Sequence, residues 1–115
     1  MFASTKTLLQ KAQRGGYAVG HFNCNNMEMV QAIVQAGVKL KSPIILATSE
    51  GAIEYAGMEY LYALAKTASE QTKIPIALHL DHGKDMKIIE NAIKIGYSSV
   101  MIDASHEDFE KNIAL

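Results

Sequence analysis

Short apolar runs and amphipathic stretches alternate along this chain. Four runs, Tyr17–Phe22, Ile44–Ala47, Ile76–Leu80 and Ser99–Ile102, are apolar on both faces. Runs of this length read as parallel strands covered by helices on both sides of the chain path. Between them, apolar residues recur at three- and four-residue spacing, the period of a helix with one buried face. Ser4 is placed to cap a first helix through Arg14, with Leu8, Leu9 and Ala12 on one face and Gly15-Gly16 as its stop. Asn25 and Glu28 have capping-box spacing and open a second helix with Met29, Ile33, Ala36 and Leu40 inward. A short helical piece covers Ala52 to Tyr55. A longer one runs from Met58 to Gln71 with Leu61, Leu64, Ala65 and Ala68 inward. Pro75 suits the first position of the third strand, where no ladder donor is needed. Asp85 caps a helix carrying Ile88, Ile89, Ala92 and Ile95, which Gly96 ends, and a last helix begins near Asp108.

The order is therefore one helix followed by four βα units. Such a unit is either an open doubly wound sheet or half of a (βα)8 barrel. No Gly-x-Gly-x-x-Gly follows the first strand, which takes support from a dinucleotide site. The expected fold is α/β: a parallel half-barrel, the first four βα units of a TIM-type barrel behind an N-terminal helix. Residues 1–115 form one incomplete domain on this reading. Its four polar strand ends should share one face. Two open sheet edges and an uncovered inner face lead us to expect that the 115-residue chain alone self-associates or is poorly soluble.

Composition narrows the function. Hydrophobic residues make up 49% and charged residues 20%, as in a globular domain, and the formal net charge is -1. Without a basic block there is no electrostatic footprint for nucleic acid. No apolar run approaches the ~20 residues of a membrane span. Met1 to Gln10 lacks the apolar core of a secretory signal. The single cysteine, Cys24, makes no intrachain disulfide and fits a reducing, cytoplasmic setting; it reads as a small packed residue rather than a nucleophile.

The chemistry collects where the strands end. Asn23 follows the first strand, Ser49 the second, Asp81 and His82 the third, Asp103 and Ser105 the fourth. In parallel sheets these ends lie together and the loops beyond them build the site. The run Ala77-Leu78-His79-Leu80-Asp81-His82-Gly83 is the most pointed of the four. Imidazole can bind a divalent metal while the adjacent carboxylate moves a proton at the substrate. The plainer alternative is a solvated Asp-His pair at an ordinary strand end.

Four motifs in order carry a resemblance. Ala18-Val19-Gly20-His21-Phe22-Asn23, Thr48-Ser49-Glu50-Gly51-Ala52, His79-Leu80-Asp81-His82-Gly83 and Ser99-Val100-Met101-Ile102-Asp103-Ala104-Ser105-His106 resemble the signatures of class II, metal-dependent ketose-bisphosphate aldolases. The resemblance spans essentially the whole chain. It implies reversible cleavage of fructose or tagatose 1,6-bisphosphate to glycerone phosphate and glyceraldehyde 3-phosphate, a reaction of glycolysis and carbohydrate metabolism. It implies catalytic zinc, with room for a second divalent metal, and a homo-oligomer, dimer or tetramer, when intact. His82 then corresponds to the first zinc histidine and Asp81 to the proton donor. Asp103 corresponds to a ligand of a second or alternative metal position, Ser49 to a residue on the aldehyde-phosphate half, and Asn23 to a substrate-proximal asparagine.

His21 stands where the family more usually has alanine, and we read it as a packing variant. His79 reads as a hydrogen-bonded residue behind the site, and His106 as part of a helix start. No lysine ends a strand, which disfavours a Schiff-base mechanism. A catalytic zinc needs three protein ligands, and His82 is the single one legible here. A whole barrel needs ~250 residues, so the chain reads as an aldolase's N-terminal half. The opening around Ser4-Thr5-Lys6 looks closer to the tagatose branch and the Ser49 motif to the fructose branch. We lean to fructose. The rival reading is an inactive half-barrel serving only in assembly, or a small phosphate- or metal-binding module.

Overall fold

Ser4 Oγ accepts from the Thr7 amide and starts α1 (Thr5–Gly15), which Gly16 ends in the left-handed region. The computed structural model describes all of residues 1–115. Strand β1 covers Gly20–Asn23, later than the predicted Tyr17 start. The reason is local: the Tyr17 amide donates to the Ala12 carbonyl and is held in the cap of α1. Helix α2 (Met27–Leu40) is capped by Asn26, not Asn25; Asn26 Oδ1 accepts from the Met29 amide at 2.9 Å. Then come β2 (Ile44–Ser49), α3 (Glu50–Ala56), α4 (Met58–Glu70), β3 (Ile76–Gly83), α5 (Met86–Ile95), β4 (Ser99–Ile102) and α6 (Phe109–Ala114). Asp85 and Asp108 cap α5 and α6 as predicted.

The four strands form one parallel sheet in the order β1-β2-β3-β4. This nearest-neighbour, all-parallel order is the half-barrel arrangement. Register sorts the side chains into two faces, because residues paired across parallel strands point the same way. The outer set, Ile44, Leu46, Ile76, Leu78 and Leu80, packs with Val30 and Val34 of α2, Met58 and Ala65 of α4, and Ile89 and Ala92 of α5. Leu46, Leu78 and Leu80 are fully buried, each contributing roughly 1.5–3 kcal/mol. The buried Thr48 hydroxyl bonds the Tyr97 hydroxyl at 2.9 Å, so neither is left unpaired inside this layer.

The inner set is thinner. At its lower end Ile45 and Ala77 are covered by Leu8 of α1, with Ala3 and Val19 beside them. The Ala3 amide donates to the Ile76 carbonyl, so the N-terminal segment is fastened under the sheet. The upper part of the inner face carries His21, Asn23, Ser49, His79 and Asp81, and it is not apolar. Helix α2 is rotated from the predicted face: Val30, Val34 and Gly37 are buried, whereas Met29 and Leu40 are exposed.

Candidate active site

The parallel register puts Ser49 of β2 directly beside Asp81 of β3. Asp81 lies on the upper inner face with its side chain 15% exposed. The next residue, His82, has φ 52°, and the β3–β4 register shifts between Leu80 and Gly83. This bulge re-aims the chain, so His82 no longer follows the strand alternation. Gly83 is required at the turn. A Cβ there would lie 2.8 Å from Ile89 Cγ1 and 2.9 Å from the Met101 carbonyl oxygen. The close approach it permits brings in the Asp103 amide, which donates to the Gly83 carbonyl at 2.7 Å.

Asp103 is thereby delivered to His82. Its Oδ2 lies 2.7 Å from His82 Nδ1, and its Oδ1 accepts from the Ser105 amide at 3.1 Å. The Ser105 hydroxyl, then the His82 imidazole, hold the Asp103 carboxyl far below the usual carboxylate range. The same bond, helped by the Asp81 charge, raises the His82 pKa. Asp103 is buried, while the His82 side chain is 60% exposed. With Nδ1 committed to the carboxylate, Nε2 is the ring's free nitrogen, 4.0 Å from Asp81 Oδ1. A carboxylate fixing one ring nitrogen while the other stays free beside a second carboxylate is the arrangement of a metal-binding histidine. The donor set thus fits one imidazole ligand of a zinc ion.

The structure gathers Asp81, His82 and Asp103 into one constellation and sets Ser49 next to it. The Ser49 hydroxyl caps α3, accepting from the Ala52 amide at 3.2 Å. Asn23 lies at the end of β1 on the inner face, paired with Ala47. His106 is beyond β4 and pairs with Glu107 at 3.5 Å. Cys24 is buried and donates its S–H to the Ala47 carbonyl; burial lifts its thiol to about 11. A thiol so held is no nucleophile.

Two features escape a reading of the sequence. Glu50 Oε1 accepts from both the Lys84 and Asp85 amides, at 2.6 and 2.7 Å, and clamps the turn after His82. Its partners are over thirty residues away, so no local pattern announces it. His21 packs edge to face on His79 rather than in the apolar core. Its ring is 5.5 Å from that of His79 and its Nε2 is 4.0 Å from Asp81 Oδ1. The alternation of β1 and β3 would have placed both histidines on one face. His79 Nδ1 bonds Ser99 Oγ at 2.7 Å; partial burial, then His21, lower its pKa against the pull of Asp81.

The parallel βα sheet, with its polar groups gathered at the carboxyl ends of the strands, is the half-barrel arrangement in which such ends carry the site. Residues 3–115 match the model of the family described as fructose-bisphosphate aldolase class-II, and the chain belongs to that family. It is 46% identical over 113 residues to the fructose-bisphosphate aldolase of Thermus caldophilus, covering 98% of this chain and 37% of that protein. To the D-tagatose-1,6-bisphosphate aldolase subunit GatY of Klebsiella oxytoca it is 45% identical over 112 residues, covering 97% and 39%. Among solved structures, the YdjI aldolase from Escherichia coli K12 superposes with a TM-score of 0.92 at 35% identity, covering all of this chain and 44% of that one. The chain thus spans well under half the length of these relatives.

Proposed function

We propose that this chain supplies the first half of the active site of a zinc-dependent aldolase acting on a ketose 1,6-bisphosphate, fructose or tagatose. The observation that carries the reading is the Asp81–His82–Asp103 constellation, with Asp103 locking one nitrogen of His82 and leaving the other beside Asp81. In it His82 holds the zinc, together with histidines this chain does not contain. When bound, zinc acts as a Lewis acid on charge developing at the substrate's oxygens. Asp81 accepts the proton of the C4 hydroxyl as the carbon–carbon bond breaks and returns it in condensation. Ser49 and Asn23 lie on the same inner face as Asp81 and bind the substrate. Family resemblance assigns Asp103 to a second metal position. Its bond to His82 supports a further part, holding the imidazole in line.

The test is a chimeric barrel in which residues 1–115 replace the matching part of the Thermus caldophilus aldolase. Asp81→Ala should retain zinc and lose roughly 10²–10⁴-fold in cleavage rate. His82→Ala should lose zinc and activity together. Normal cleavage by the first variant, or full zinc occupancy in the second, ends the reading.

A further inference from the structure

We propose that His21, His79 and Asp81 form a second binding site for a transition-metal ion such as zinc or cobalt, sharing Asp81 with the His82 constellation. One ligand atom from each of the three lies within 4.8 Å of the others. The site is made by register. Ala47 of β2 stands between the partners' strands and is paired with His79, while His21 sits two residues before Asn23, the partner of Ala47 on β1, and so shares its face. The small alanine lets the two imidazoles approach over it, edge to face at 70°.

The surroundings favour a metal over a chance meeting of side chains. His79 Nδ1 is held by Ser99 Oγ, and Ser99 Oγ is bonded to Thr5 Oγ1 at 2.9 Å. This chain fixes the ring from behind and leaves Nε2 free, as outer hydrogen bonds do for metal-binding histidines. Asp81 has no lysine or arginine partner; the side chains within reach of its carboxylate are the imidazoles of His21 and His82. Two imidazoles and one carboxylate suit zinc, cobalt, nickel or copper rather than magnesium or calcium. The set leaves a fourth position for water. Metal bonds of about 2.0–2.2 Å require the three atoms to close by roughly 1 Å. His21 is exposed, so rotation of its side chain would supply that closure.

Occupancy takes the Asp81 carboxylate as a ligand. On the aldolase reading above, it therefore removes the proton-transfer group, and excess metal inhibits. Binding itself does not depend on that reading.

The experiment titrates the purified 115-residue chain with Co²⁺, following the visible d–d absorption, with circular dichroism as the check on folding. The wild type should give a four-coordinate spectrum. His21→Gln, at an exposed position, should weaken binding roughly tenfold or more, and His79→Gln likewise. His82→Gln should bind as the wild type does. Absent binding by the wild type, unchanged affinity in folded His21→Gln, or loss of binding in His82→Gln overturns the site. In the chimeric barrel, His21→Gln should relieve inhibition by excess zinc. Inhibition that persists there overturns the regulatory consequence while leaving the cleavage reading intact.

Discussion

His82 is held in a left-handed backbone conformation, one of only two non-glycine residues so placed. Histidine tolerates this region better than branched residues do, yet the conformation persists only when its surroundings fix it. Asp103 supplies the fixing contact. Asp103→Ala in the chimeric barrel should therefore leave the ring mobile and weaken zinc binding ~10–100-fold, read by competition with a chelator; unchanged affinity would remove Asp103 from that role. Cys24 offers a test of a different kind. Its folded pKa of about 11 lies above the ordinary 9.0, so the unfolded chain loses this proton first as pH rises. Stability contributed by the neutral thiol is whole below pH 9 and falls between 9 and 11. Near pH 10.5 the loss is about 2 kcal/mol. Urea unfolding at pH 8 and 10.5 should show a steeper decline for the wild type than for Cys24→Ala.

At the scale of elements, Gly83 couples strand geometry to the site. Gly83→Ala should push β3 from β4 or displace Ile89, costing about 1–3 kcal/mol in urea unfolding. It should lower zinc affinity in the chimera at the same time, because the Asp103 amide bond to Gly83 is strained with it. A stability loss with zinc affinity intact would uncouple the two. Most elements were legible because each carries its own period and punctuation: Ser4, Asp85 and Asp108 start helices and Gly96 ends one where the sequence puts them. The exceptions have local causes. Asn25 and Asn26 are both competent caps, and the backbone chose the second. Helix α2 has two apolar stripes, so hydrophobicity alone does not select one. The deciding residue is Gly37, whose missing side chain lets the helix approach Ile44 and Ile74, a contact that no hydropathy pattern records. Ile33 still packs at the margin of the core, while Ala36 and Leu40 beyond it border an open groove with Phe22 and Pro43 along the free edge of β1.

For the molecule as a whole, the parallel half-barrel was readable from the alternation of buried strands and amphipathic helices. The gathering of Asp81 and His82 followed from adjacency in the chain. The contacts that were not readable join distant segments: Asp103 to His82, Glu50 to the β3–α5 turn, His21 to Asp81. Each depends on register, and register is a property of the assembled sheet. The nearest-neighbour strand order also sets a schedule for assembly. Each strand pairs with the one made just before it, so the sheet can lengthen as the chain is synthesised. Helix α1 cannot follow that schedule. Leu8 needs Ile45 and Ala77, the Ala3 amide needs Ile76, and the Thr5 hydroxyl needs Ser99, 94 residues away. Closing so long a loop is entropically costly and is repaid only once the later strands exist. Helix α1, made before every strand it contacts, should thus be among the last elements to dock. Pulse-labelled hydrogen exchange during refolding should find the α1 amides protected after those of β2 and β3, and earlier protection of α1 would refute it.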